Sequence, residues 1–240
     1  MTHILIPIRI LENQTISPGL IDLLSTSNVT ILGYHVLPEQ TSPDQARLQY
    51  EDRATEALED LKAEFESAGC KADHRLVFTH SQKQTIERIT DEIGAQAFVI
   101  PGMAGQIDRL LVSLSDKVDI GNILSFVESL VVDRDIGVTL FTARDSGLDS
   151  EQIASATKRL QEAGIDVQTE SGGEDTQRQP GEPVAFSTLA EAAGGHGAVV
   201  MGEQSPTLRS SLFGDKKPEQ VASECVSPVL VVNRLGKSEM

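Results

Sequence analysis

The sequence has no tryptophan and two tyrosines, and aromatic residues make up 4% of its 240 positions. Such a chain absorbs little near-ultraviolet light, so a bound purine would stand out in its spectrum. Cysteine is equally scarce: Cys70 and Cys225 lie far apart, without metal-ligand spacing or a histidine pair beside them. Neither a disulfide framework nor a zinc site is supported, and both thiols read as buried. No apolar run approaches the roughly 18–20 residues that a bilayer span requires, which excludes direct membrane insertion. The opening MTHILIPIRI lacks a basic n-region and a small-residue cleavage site, so a cytoplasmic protein is expected.

Positive charge is also in deficit. Twenty basic residues face 36 acidic ones, giving a net charge of −16 and a pI near 4.6. A surface of that sign repels phosphate backbones and anionic lipid, which excludes nucleic-acid binding through a broad basic face. The acidity is dispersed: residues 1–107 carry 15 acids and 8 bases, and the remainder 21 and 12. With only 8 lysines against 12 arginines, this is the balance expected of a halophilic protein in a salt-rich cytoplasm, where screening relieves self-repulsion.

What is present is alternating secondary structure, over a length that suits two compact domains. Apolar or β-branched runs at Thr2–Ile10, Asn28–Leu37, Asp73–Thr79 and Ala95–Pro101 predict strands of the doubly buried kind found in parallel sheets. Between the second and third, Ser42-Pro43-Asp44 opens a helix, Ala54, Leu58, Leu61, Phe65 and Ala68 keep helical spacing, and Gly69 closes it. A further helix carries Ile86, Ile89 and Ile93 and ends at Gly94. Strands alternating with helices build right-handed βαβ units around a parallel sheet.

The order then starts again: a strand at Asp108–Leu114, a helix at Val118–Val132, a strand at Gly137–Ala143, and a helix at Ser150–Ala163. Next come a strand at Asp166–Glu170, a helix at Val184–Ala193, a strand at Gly197–Met201, a helix at Lys217–Glu224 and a fifth strand at Pro228–Val232. Echoes such as RLLVSL for HILIPI, VTLF for VTIL and QEAG for ESAG point to a duplication. The expected fold class is α/β, with domains at 1–107 and 108–240, the first lacking the last helix and fifth strand. Because PVLVV would leave an apolar sheet edge, that strand is expected to be covered by a homodimer or by the first half, with a homodimer favoured.

Chemistry is sparsely signalled. The histidines at 3, 35, 74, 80 and 196 sit in no nucleophile–base constellation, so no catalytic residue and no metal site is expected. The fourth strand of the second half leads into a loop with Gly202, Ser205 and Gly214 before a helix start, a pattern able to cradle phosphate on backbone N–H groups.

SPVLVV with the LFG…PEQV segment before it, and GYHVLPE after the second strand, make the chain resemble the universal stress protein family. The resemblance runs through nearly the whole chain as two tandem copies of the adenine nucleotide α-hydrolase-like fold. It implies ATP or another adenine nucleotide as ligand, bound between the ends of the first and fourth strands. Carried onto this sequence, it designates Ser113, Ser115 and Asp116 at the first strand of the second half, then Gly202, Ser205, Arg209 and Gly214 in the terminal loop. Gly102 and Gly105 keep the G-x2-G spacing in the first half. The sequence departs from the family pattern where Arg9 stands in place of an aspartate, where Ser205 replaces a glycine, and where Asp215 replaces a hydroxyl residue. The resemblance also implies a second kind of role, as a non-nucleotide regulatory or scaffolding partner of a membrane transporter.

Overall fold

The computed structural model describes residues 1–12, 14–143, 146–172, 184–203 and 227–233. In chain order the strands are β1 (His3–Arg9), β2 (Asn28–Val36), β3 (Lys71–Thr79), β4 (Ala97–Ile100), β5 (Arg109–Leu114), β6 (Gly137–Thr142), β7 (Val167–Ser171), β8 (Ala198–Gly202) and β9 (Val229–Val232). The helices are α1 (Pro18–Leu23), α2 (Pro43–Ser67), α3 (Gln82–Ile93), α4 (Ile120–Val131), α5 (Ser150–Glu162) and α6 (Val184–Ala193). The expected helix at Lys217–Glu224 lies outside the described residues.

Local chemistry explains the helix boundaries. At α2 the Ser42 hydroxyl accepts a hydrogen bond from the Gln45 N–H at 3.2 Å, and Pro43, which has no N–H to orphan, takes the first helical position. Its buried side chains, Ala46, Ala54, Leu58 and Phe65, form a narrow stripe flanked by the half-buried Tyr50, Ala57 and Leu61, and most of its 25 residues are exposed. By contrast, α4 buries Ile123, Leu124, Phe126, Val127, Leu130 and Val131. Apolar coverage that wide requires neighbours on several sides.

Those neighbours come from both halves of the chain. All nine strands join one sheet in the order β3-β2-β1-β4-β9-β8-β5-β6-β7. Within each half the strands are parallel, while β9 pairs parallel with β8 and antiparallel with β4, placing Ala97 opposite Val232 and Ile100 opposite Val229. The two expected sheets are therefore one mixed, mostly parallel sheet. The first half, which has no fifth strand of its own, is completed by the fifth strand of the second. Val229, Leu230, Val231 and Val232 are at most 7% exposed. Of the two covers expected for this strand, the structure shows the intramolecular one. Pairing β9 with its counterpart in a second chain has no place, because its N–H and C=O groups are engaged on both sides.

One buried apolar cluster runs under α1, α2, α4 and α5 and takes in Ile4, Ile6, Leu110, Val112, Leu230 and Val232. The opposite face packs on α3 and α6 through Ile89, Leu189 and Ala193. Polar ties cross between the halves as well: the Thr2 and Ser129 hydroxyls lie 2.6 Å apart, and Arg134 donates to the carbonyls of Asp22 and Leu23 while pairing with the Asp22 carboxylate at 2.6 Å. Among the described residues no helix is long and apolar enough to cross a membrane.

Candidate functional site

Because β4 and β9 are antiparallel, the carboxyl ends of the two sets of parallel strands open at opposite ends of the sheet. Ligands of open α/β sheets bind where successive connections leave in opposite directions, which here means between β5 and β8 and between β1 and β4.

At the first of these ends β5 gives way to Ser115-Asp116-Lys117-Val118 and then to α4. The Asp119 carboxylate caps α4 by accepting the Asn122 N–H at 3.0 Å. The Asp116 N–H donates to the Ser146 carbonyl at 2.8 Å, and Gly147, at φ +73°, brings its backbone against the Asp116 carboxylate. A side chain at Gly147 would collide with that carboxylate. On the other wall β8 ends at Gly202, where a Cβ would lie 2.7 Å from Val118 Cγ1; the bare glycine lets the strand end close on the start of α4. The Glu203 N–H donates to the Val232 carbonyl at 2.9 Å, tying the end of β8 to the end of β9.

Asn233 completes the wall and reaches into the other half. Its N–H donates to the Gln96 carbonyl at 2.8 Å and its Nδ2 to the Ala95 carbonyl at 2.7 Å, while its own carbonyl accepts Asn122 Nδ2 at 2.8 Å. These elements enclose a cleft of about 210 Å³, smaller than the roughly 300–1,000 Å³ usual for drug-sized ligands. Asp116, Lys117, Val118, Asp119, Asn122 and Ile123 line one side, and Gly202, Glu203, Val232 and Asn233 the other.

No family model matches the sequence, and no curated protein matches it. Among solved structures, a universal stress protein from Archaeoglobus fulgidus DSM 4304 superposes with a TM-score of 0.59 at 14% identity, covering 99% of this chain and 97% of that one. The chain has the universal stress protein fold. A structure described as a universal stress protein from Pseudomonas aeruginosa UCBPP-PA14 gives a TM-score of 0.44 at 15% identity over 97% of this chain and 93% of that one. The cytoplasmic domain of a prokaryotic cation chloride cotransporter gives 0.45 at 11% identity over 99% and 97%. At TM-scores below 0.5 these last two carry no argument.

Within this universal stress protein fold, the residues singled out from sequence are distributed as follows. Asp116 and Gly202 line the cleft. Ser115 stands beside it with its hydroxyl buried and without a hydrogen-bond partner among the described residues. Ser113 lies one step inside β5, paired with Phe141 on one side and Met201 on the other. Ser205, Arg209 and Gly214 fall outside the described residues. Gly102 and Gly105 belong to the opposite end of the sheet: a Cβ on Gly102 would lie 2.6 Å from the Ser227 and Pro228 backbone that leads into β9, whereas a Cβ on Gly105 would meet nothing within 4 Å and only its carbonyl rests against Gly19 of α1.

At that opposite end the side chains pair with one another. Arg9, at the end of β1, pairs with Glu12 at 3.3 Å and donates from Nε to the Tyr34 hydroxyl at 3.4 Å, while its N–H donates to Gln14 Oε1 at 3.0 Å. Burial pushes the Tyr34 hydroxyl above its ordinary pKa, partly offset by the Arg9 hydrogen bond. Sequence reading missed Asn122 and Asn233 at the open cleft. The sequence marked that corner through Ser115, Asp116 and Gly202 alone.

Proposed function

We propose that the chain is a universal-stress-type regulatory binding protein of the cytoplasm, built from tandem copies at 1–107 and 108–240, whose second copy holds an adenine nucleotide or related adenine compound. The supporting observation is the open cleft at the carboxyl ends of β5, β8 and β9, sited at the reversal point of a sheet with this fold. The first copy, where Arg9 pairs with Tyr34 and Glu12 at the end of β1, serves as scaffold in this reading. A homodimer would have to use a surface other than β9.

Binding rather than turnover is the proposed activity, since the sequence offers no general base. Adenosine, AMP and ATP should each be titrated against the protein while its melting temperature is followed, and the freshly purified protein should be examined by native mass spectrometry for a co-purified purine. A saturable rise with any adenine compound supports the reading; no response to all three at millimolar concentration rejects it. Steady ATP hydrolysis above about 1 s⁻¹, the low end of ordinary turnover numbers, would reject the binding-only role. The halophilic reading is tested alongside: the melting temperature should rise from low salt to molar KCl as the −16 charge is screened, and a flat or falling profile would reject it.

A further inference from the structure

We propose that β3 pairs antiparallel with β3 of a second copy of this chain, about a two-fold axis at His74, so that the sheet continues through a homodimer. The inference concerns the far edge of the sheet and stands independently of the binding reading above.

The sheet ends at β3 on one side and at β7 on the other. β7 has five residues, whereas β3 has nine, all in register with β2. Soluble proteins blunt sheet edges by keeping them short, and a long regular edge is a template for another strand. In β3 the odd-numbered residues turn their backbone groups toward β2, as the Thr79 carbonyl shows by accepting the Leu37 N–H at 2.7 Å. The N–H and C=O groups of Ala72, His74 and Leu76 therefore point outward, where no strand follows among the described residues. The outward His74 N–H is held by its neighbour: the Asp73 carboxylate accepts it at 2.8 Å. Arg75, exposed on the other side of His74, pairs with Glu92 at 3.0 Å.

These charges select the register. An axis at Asp73 or at Arg75 would set that residue against its own copy, and like charges directly opposite are destabilising. With the axis at His74, Asp73 stands opposite the partner's Arg75 on both sides of it, in non-hydrogen-bonded pairs, where side chains approach most closely. Ala72 and Leu76, both packed on the α2 side of the sheet, then face each other across the junction. Asp73 exchanges the His74 N–H for an ion pair, which releases that N–H to the partner's His74 carbonyl. The contact is isologous and closes at two chains.

The test is sedimentation velocity in molar KCl from 1 to 100 µM, with amide exchange followed at the same concentrations. A species of twice the 25.9 kDa chain mass should form, with the Ala72, His74 and Leu76 amides gaining protection as it does. A monomer throughout, or a dimer in which these amides exchange freely, would overturn the proposal. His74→Pro removes an N–H that the ladder with β2 does not use, and proline is tolerated at such edge positions; the variant should melt cooperatively and stay monomeric, and a persisting dimer would overturn the edge assignment. Asp73→Arg should weaken dimerisation at least tenfold, and adding Arg75→Asp should restore it. Failure of the exchanged pair to restore it would overturn the register, and this comparison holds even if the proline variant does not fold.

Discussion

At the end of β1 the first half carries an arginine that pairs with Glu12 and Tyr34, whereas the second half, at the end of β5, carries an exposed Asp116 and Ser115, whose hydroxyl has no partner among the described residues. The same contrast recurs at the neighbouring strands. Gly102, just past β4, is pressed against the Ser227 and Pro228 backbone, while Gly202, at the end of β8, faces the side chains of Val118 and Ile123 and borders a cleft. Two regions built to one strand order thus differ in what occupies the crevice at their strand ends. In one the described side chains pair with each other and the lead-in to β9 presses on the strand end, and in the other the strand ends border an acidic cleft. A fold places a crevice, and only the local side chains decide whether it can hold anything.

The strongest way to break this comparison is to weaken the strand both halves share. Leu230 is fully buried at the centre of β9, and Leu230→Ala should cost about 2–5 kcal/mol. Denaturant unfolding would measure the loss, and amide exchange should accelerate in β4 and β8 together. Acceleration in β8 alone would show that the halves are independently stable. Next in size is Gly102→Val, expected to cost about 1–3 kcal/mol because the new side chain meets backbone that cannot turn aside. Gly105→Ala is its control: nothing lies within 4 Å of a Cβ there, so the change should stay within about 0.5 kcal/mol.

Asn233→Ala sharpens the link between the open cleft and the first half. Losing its hydrogen bond to the Ala95 carbonyl should cost about 1 kcal/mol and alter ligand affinity at the cleft, both readable in one thermal titration. The smallest effect is reserved for Glu92, on the surface of the first half. Its hydrogen bond from Arg88 is the main cause holding its carboxyl below the usual range, with Arg75 adding to it. A depressed folded-state pKa contributes stability that is present above the unfolded-state pKa and fades as pH falls through the folded one. Glu92→Gln should therefore flatten the acid limb of the stability curve slightly and leave neutral pH almost unchanged, since the group is exposed.

Much of the fold was legible because its central strands are continuously apolar. The readings at Thr2–Ile10 and Gly137–Ala143 contain β1 and β6, whose side chains are buried on both faces. At the edge, β3 starts two residues earlier than its apolar signal, since Lys71 and Asp73 alternate outward. The short α1, six residues that start at Pro18 behind the N-cap Ser17, gave no periodicity to read. The antiparallel seat of β9 beside β4 was beyond local pattern altogether, because it depends on residues more than a hundred positions apart. The site divides the same way: Asp116 and Gly202 follow from strand-end position, but Asn122 and Asn233 meet only after the sheet closes.

The central position of β9 also has a consequence in time. During synthesis at about 5–20 residues per second, β4 leaves the ribosome well before its partner, so one of its edges waits on the order of ten seconds for Val229–Val232 to follow. An unpaired edge in a nascent chain invites pairing with the wrong neighbour. Here the waiting edge is only four residues long, short enough to offer a passing strand little purchase, and the joining of the two half-sheets becomes the final act of folding, set by translation as much as by the sequence of the strands themselves.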